Sequence, residues 1–263
     1  MTDRKSSRTR GAQKTSRTRG AQKTSRTRGA QKTEVPAAFD AGAAAYDGLV
    51  DANPGYHRHL RISAERMRLV NGGKGLRLLD AGCGTGASTA ALLSVAPQAD
   101  IVAVDASSGM LAEAAAKHWP ASVRFVHSRI EDIAQAGVEG PFDGIFAAYL
   151  LRNLEDPDAQ LREFLALLRP GATLAVHEYS VRDSRVATAM WNAVCATIII
   201  PMGKLRSGDA GLYRYLRRSV NEFDGAEAFL NRLRDNGFTS ARSETVPGWQ
   251  RNIVHTFLAE APA

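Results

Sequence analysis

From residue 76 onward, short apolar runs alternate with segments whose apolar residues recur at helical spacing. That alternation predicts βαβ units around a parallel sheet. A first strand is expected over 76–80, ending in a glycine loop, followed by a helix over 87–95 that Pro97 closes. Strands over 101–104, ended by Asp105, and over 123–126 come next, with a helix between them capped by Ser107 and running to Lys117. A fourth strand is expected over 142–148. Asp156 and Pro157 supply an N-cap and a proline at the first helical position; Leu161, Phe164, Leu165 and Leu168 then follow at helical spacing until Pro170-Gly171 stops them. A fifth strand begins over 173–176. Asp224 and Glu227 read as a capping box for a helix carrying Leu230 and Leu233, ended by Asn236-Gly237. Two strands, 238–243 and 253–258, close the pattern.

Ahead of the first strand, residues 34–75 form a cap: helical signals over 36–70, interrupted by Asn53-Pro54-Gly55, are placed to cover the sheet's carboxyl edge as a lid. The longest largely apolar run, 193–202, is about half of what a bilayer crossing needs, so no membrane span is expected. The amino terminus carries charge with no hydrophobic stretch behind it, which is not the pattern of a secretory signal.

Composition changes this picture at one end. Of 263 residues 44% are apolar and 23% charged, an ordinary globular balance that excludes disorder throughout. The formal net charge of +7 invites a polyanionic partner, but residues 1–33 hold 11 Lys and Arg against one acid, Asp3, leaving 23 basic and 26 acidic residues from Glu34 onward. Residues 7–15, 16–24 and 25–33 each read S-R-T-R-G-A-Q-K-T. With no large apolar residue in a copy, stacking the repeats buries nothing, so a disordered basic tail is expected over 1–33. Such a tail can hold phosphate-rich polymers or anionic lipid heads loosely and salt-dependently, and it has the acid-poor make-up of a transit peptide without the apolar helical face. The slightly acidic body argues against a nucleic-acid role, so no nucleic acid is required. Cys83 and Cys195 stand far apart, which points to a reducing, cytoplasmic setting without a disulfide framework. No His/Cys cluster has ligand spacing, so no metal is expected.

The stretch Asp80-Ala81-Gly82-Cys83-Gly84-Thr85-Gly86 joins the first strand to the following helix. Glycines there let a ligand lie against the backbone. Asp105 ends the next strand 19 residues after Gly86, where a carboxylate can accept both hydroxyls of a ribose. The two features together describe a nucleoside site. The spacing is G-x-G-x-G, not the dinucleotide G-x-G-x-x-G, and no Gly-Lys-Ser/Thr appears, so phosphate cradling is not indicated.

D-A-G-C-G-T-G and the later V-D-A-S-S-G-M-L resemble the first two motifs of class I S-adenosylmethionine-dependent methyltransferases, and the resemblance covers most of residues 40–260. It implies a Rossmann-like α/β fold over 76–263: a seven-stranded, mostly parallel sheet with an antiparallel last strand and helices on both faces. It also implies S-adenosyl-L-methionine as cofactor. By this likeness Asp80, Gly82, Gly84, Thr85 and Gly86 belong to the loop at the methionine and ribose end, Asp105 with Ala106 to the ribose. Arg129-Ile130 occupies the adenine-side position, where arginine cannot accept from an adenine amino group, so that contact falls to backbone, Glu131 or Asp132. Ala148 stands where a serine is usual. A narrower likeness follows. F-D-G-I-F-A-A-Y-L-L-R-N-L, L-R-P-G-A-T-L-A-V-H-E-Y-S and L-Y-R-Y-L-R-R-S-V are similar to the ubiquinone/menaquinone biosynthesis C-methyltransferase family, and Tyr46-Asp47 and His57-Arg58 echo its amino-terminal pairs. Departures are Gly82-Cys83 in place of two adjacent glycines and Leu60 in place of a tryptophan.

The acceptor implied is a small aromatic or quinol-like molecule. The rival readings are a natural-product O-, N- or C-methyltransferase with a soluble acceptor, and a cofactor-binding or nucleic-acid-associated protein without catalysis. Methyl transfer from a sulfonium is an in-line displacement that mainly needs alignment, and C-methylation of a ring also needs a base or a cation for the phenolate. The strand ends offer Tyr149, Arg152 and Asn153, then His177, Glu178 and Tyr179. Arg152 is read as the oxyanion stabiliser, or else as an ion-pair partner of Glu155 or Asp156. His177 is read as the base, since its ordinary pKa is near neutral, or else as a satisfied buried histidine. Tyr213 and Tyr215 close over the acceptor or cover core. Tyr46 and His57 reach it from the lid, unless His57 is a surface histidine. The apolar segment 186–202, ended by Pro201, is a core helix or subunit contact, or else a tunnel or membrane-facing surface for an isoprenoid chain. Peripheral membrane contact follows if the acceptor is prenylated, and the chain is a monomer or homodimer.

Overall fold

The computed structural model describes residues 40, 43, 46–48, 50, 51, 53–207 and 210–263. The repeated tail expected to be disordered lies outside these residues. Seven strands, β1 (Arg77–Ala81), β2 (Asp100–Asp105), β3 (Val123–His127), β4 (Phe142–Ala148), β5 (Leu168–Tyr179), β6 (Thr239–Thr245) and β7 (Val254–Glu260), form one sheet in the order β3-β2-β1-β4-β5-β7-β6. All neighbours pair in parallel except β7, which runs antiparallel to both β5 and β6. This is the seven-stranded Rossmann-like sheet with an antiparallel last strand.

Burial on both faces explains the near-continuous apolar strands. In β1, Leu79 packs with Val102, Ile145, Phe164 and Phe257 on one face, while Leu78 packs with Leu60, Leu92, Ile101 and Phe146 on the other. Strand order reverses between β1 and β4, which opens a crevice at their carboxyl ends where ligands bind in open α/β sheets.

From residue 56 onward the α-helices are α1 (Tyr56–Arg66), α2 (Ala87–Val95), α3 (Ser108–Ala115), α4 (Pro157–Leu167), α5 (Arg185–Val194), α6 (Ile200–Ser207), α7 (Gly211–Glu222) and α8 (Ala226–Asp235). Ser107 caps α3 by accepting from Met110 N–H, and Asp156 caps α4 by accepting from Ala159 N–H at 2.9 Å. Three expectations need correction. The helix begun at Pro157 does not run through Leu168 to be stopped by Pro170-Gly171; it ends at Leu167. The strand starts at Leu168, and the pair sits in a bulge where the register steps from Phe142↔Leu168 to Gly144↔Thr173, a place that tolerates a missing N–H.

The capping box at Asp224 and Glu227 does not form. Gly225 is the N-cap of α8, and Asp183, 44 residues upstream, accepts the Glu227 N–H at 3.0 Å, while Asp224 pairs with Arg232 at 2.7 Å. Lastly, Pro201 does not end the apolar segment. A π turn, Cys195–Ile199, joins α5 to α6, and the wider turn accommodates the proline ring in the first turn of α6. The joined run, Arg185–Leu205, has the length and composition to cross a bilayer, although the contiguous apolar stretch alone does not; a core helix meets the same test.

Candidate active site

A cavity of about 680 Å³ opens at the carboxyl ends of β1, β2, β4 and β5, and it has two chemically different lobes. The first is built by the loop from β1 to α2. Gly82 takes φ +74°, in the left-handed region, and its N–H and that of Cys83 donate to Val104 O at 2.8 and 3.0 Å, which bends the loop back over β2. Asp105, at the end of β2, accepts from the N–H groups of Gly84 at 2.7 Å and Ser107 at 2.8 Å, and burial pushes its carboxyl above the usual range. Gly82, Gly84, Thr85, Asp105, Ala106, Arg129, Ile130 and Ala148 all line this lobe, with Cys83, Met110, Ser128 and Glu131. Arg129 is paired to Glu131 at 3.3 Å.

Asp80 and Gly86 are not on its wall. Asp80 is fully buried behind the loop, where one carboxylate oxygen accepts from Ser88 and Thr89 at 2.8 and 2.6 Å. Its other oxygen has no partner within the protein, and burial pushes its pKa up to about 7. Gly86 packs against the Trp119 indole, which leaves no room for a side chain.

Two carboxylates of the amino-terminal segment fasten it over this lobe. Asp47 accepts from Thr85 Oγ1 at 2.5 Å and from Lys117 Nζ at 2.6 Å, and Lys117 also donates to Thr85 O. Asp40 accepts from Ser107 Oγ at 2.6 Å and Gly109 N–H at 2.8 Å. Both carboxyls are held below the usual range, Asp40 chiefly by the Ser107 hydroxyl and Asp47 by Lys117 and Thr85 against the burial that opposes them.

The second lobe is aromatic: all six tyrosines of the chain line the cavity. Tyr149, just past β4, takes φ +56°, a conformation that costs a non-glycine residue about 1 kcal/mol or more. Three bonds hold it there: its N–H donates to His177 O at 2.8 Å, and its carbonyl accepts from Arg152 and Asn153, each at 2.9 Å. The turn inserts the ring between Tyr56 (centroids 5.7 Å apart) and Tyr179 (4.6 Å). Tyr215 reaches in from α7 and donates to Asn153 Oδ1 at 3.0 Å.

Arg152 lies on the lobe's wall with its cation 5.5 and 5.8 Å from the Tyr149 and Tyr179 rings, and its partner is Glu178, at 2.6 Å. Neither Glu155 nor Asp156 takes that place. The pair is buried, and Arg152 Nε and Glu178 Oε2 each lack a partner within the protein.

His177 does not reach the cavity. Fully buried on β5, it shares bonds with Ser63 Oγ (2.7 Å) and Tyr149 Oη (3.0 Å), and burial drives its pKa down to about 3. Ser63 continues to Thr256 (2.6 Å), which accepts from Arg66. The expected base is a neutral imidazole that steadies Tyr149. His57 is exposed, paired to Asp51 at 2.7 Å, and not part of the cavity wall. Tyr56, which the chain alone did not mark, completes the stack with Tyr179, Glu178 balances Arg152, and Trp191, Val194, Ile198, Ile199, Met202 and Leu216 extend the lobe as an apolar groove along α5–α7. The segment 186–202 carried the signal for that groove in its apolar composition.

These features suit S-adenosylmethionine. A left-handed glycine turn leaves backbone open to a ligand, and the Asp105 carboxylate at the end of β2 closes the ribose position. A model of the ubiE/COQ5 methyltransferase family matches residues 27–253. The chain is 31% identical over 217 residues to a ubiquinone/menaquinone biosynthesis C-methyltransferase UbiE of Bradyrhizobium diazoefficiens, covering 80% of this chain and 85% of that one. It is 31% identical over 210 residues to a demethylmenaquinone methyltransferase of Clavibacter sepedonicus, covering 79% and 83%. The plantazolicin methyltransferase BpumL, solved with SAH, superposes with a TM-score of 0.60 at 11% identity over 89% of this chain and 100% of that one, a likeness of fold. The glycine turn, the Asp105 strand end and the family match over residues 27–253 together place the chain in the ubiE/COQ5 methyltransferase family, as an S-adenosylmethionine-dependent methyltransferase.

Proposed function

We propose that the protein methylates a ring carbon of a quinol carrying an apolar tail, the activity that its UbiE-type relatives are named for. The observation that carries this reading is the apolar groove of Trp191, Val194, Ile198, Ile199 and Met202 leading away from the tyrosine stack, which a small soluble acceptor would leave unfilled. Bound at the first lobe, S-adenosylmethionine supplies the methyl group on a sulfonium. Gly82, Gly84 and Thr85 would line its methionine and ribose end and Asp105 would hold the ribose hydroxyls, with Glu131 or backbone near Ile130 at the adenine.

The chain's own part is alignment and charge. Tyr56, Tyr149 and Tyr179 offer flat faces on which an aromatic acceptor can lie, and Tyr46, Tyr213 and Tyr215 close round it. Arg152 offers positive charge at the wall to a hydroxyl oxygen whose proton passes to solvent at the cavity mouth as the ring carbon becomes nucleophilic, the methylated carbon then loses its own proton the same way, and Glu178 keeps the cation in place. Asn153, fixed by Tyr149 O and Tyr215, orients the turn that carries both.

The test is incubation with methyl-labelled S-adenosylmethionine and a reduced quinone, with and without a short prenyl tail, followed by mass analysis of the product. Label on a ring carbon is expected, with kcat/KM raised roughly tenfold or more by the tail, since each buried CH2 contributes about 0.8 kcal/mol. Label on oxygen, with no gain from the tail, would reject the proposal in favour of a soluble acceptor.

A further inference from the structure

The helical run α5–α6 carries apolar side chains on two opposite sides, yet only one of them is covered. Ala187, Trp191 and Cys195 are buried against the protein. On the opposite side Val186, Met190, Ala193, Pro201 and Leu205 are exposed, at helical spacing on either side of the π turn. Of the six large apolar side chains exposed among the described residues, four (Val186, Met190, Ile198 and Leu205) belong to this run, with Val186 at 76% and Leu205 at 87%. A fifth, Trp249, stands at the rim of the cavity. Apolar side chains on opposite sides of one helical run are ordinarily both covered, so the exposed side of this one calls for an occupant.

From this we infer that the exposed face of α5–α6 docks flat on an anionic lipid surface and delivers the cavity mouth to the bilayer. The inference rests on the tailed-quinol reading for its purpose, while its evidence is separate. Charge is the first part: residues 184–222 carry six Lys and Arg (Arg185, Lys204, Arg206, Arg214, Arg217, Arg218) against two acids, in a body that is otherwise acidic. Arg185 and Lys204 are exposed at the two ends of the apolar face, and basic residues so placed are the pattern of an interfacial helix. A second copy of the chain docked on the same face would set like charges against each other across a twofold axis, whereas anionic headgroups complement them. Continuity is the second part. Ile198 is half exposed on this face and also lines the groove, so a tail leaving the cavity emerges where the apolar stripe lies. The helix lies on the surface and does not cross it, because its other side is held by Trp191 in the core.

The experiment is vesicle flotation of the full chain, wild type against the triple variant Val186→Gln, Met190→Gln, Leu205→Gln. Those substitutions leave net charge unchanged, so any pull of the basic tail on the vesicles is the same in both proteins. The wild type is expected to float with mixed phosphatidylcholine and phosphatidylglycerol vesicles and poorly with phosphatidylcholine alone. The variant should bind the mixed vesicles roughly tenfold or more weakly. Equal flotation of the two proteins overturns the inference, as does a wild type that never floats. A wild-type dimer that the substitutions split into monomers without changing flotation overturns it in favour of a second copy. Turnover of a short-tailed quinol in detergent, read on the same samples, should be equal. A variant that loses turnover is misfolded, and the pair Val186→Gln, Leu205→Gln then carries the comparison. Weakened flotation of the variant with no quinol turnover by either protein supports the surface and removes the tailed-quinol acceptor.

Discussion

Arg152 shows how much of a site depends on groups that a chain reading does not place. The residue stands out from the sequence as a cation after β4, but its partner comes from the end of β5, 26 residues away, and only the parallel pairing of the two strands brings Glu178 beside it. Removing Arg152 alone strands a buried carboxylate, a loss of about 3–5 kcal/mol. Arg152→Met combined with Glu178→Gln should therefore recover most of the unfolding free energy measured in urea. Turnover should stay roughly a hundredfold down if the guanidinium stabilises the acceptor's oxyanion. Recovery of both would make Arg152 purely structural. His177 is the opposite case: a residue type suited to catalysis, placed where solvent and acceptor do not reach. Folding keeps its imidazole neutral down to about pH 3, while in the unfolded chain it takes a proton below its ordinary value of 6.5. The unfolded form thus binds more protons between those limits, and stability falls as pH falls through them. His177→Gln should flatten this slope in urea titrations without abolishing it, because His59 and His255 shift in the same direction.

At the level of elements, the sequence marks what is local and misses what is supplied from afar. The α2 and β4 boundaries coincide with expectation, because an apolar run bracketed by turn residues determines each. The cap of α4 was legible because Asp156 bonds three residues ahead. The cap of α8 was not, because Asp183 arrives from the loop before α5, and a side chain at Gly225 would collide with its carboxylate. Asp183→Ala should lower stability by about 1 kcal/mol in urea unfolding, whereas Glu227→Gln should leave it nearly unchanged. The glycine loop and the Asp105 strand end were readable because the strand-turn-helix geometry that positions them is continuous in the chain. The groove was legible only as an alternative for segment 186–202, because its other wall comes from α7 and the two meet only when packed.

For the whole molecule, the charge split at residue 33 predicts separable behaviours. Deleting residues 1–33 should leave turnover of a small acceptor unchanged while lowering retention on heparin, most steeply at low salt. Coincident loss of turnover would show that the tail acts in the site. Strand order carries a further consequence. Strand β7 is threaded between β5 and β6, and its Thr256 bonds to Ser63 of α1, which in turn meets His177 behind Tyr149. Asp40 and Asp47 likewise wait for Gly109 and Lys117 to be made. Residues of α1 and the segment before it can therefore dock only after residues made later have folded, and the wall behind Tyr149 is completed only once β7 has been synthesised. A nascent chain lacking β7 would have its glycine loop but no finished wall behind Tyr149, so the cofactor side of the cavity can form before the aromatic side is supported.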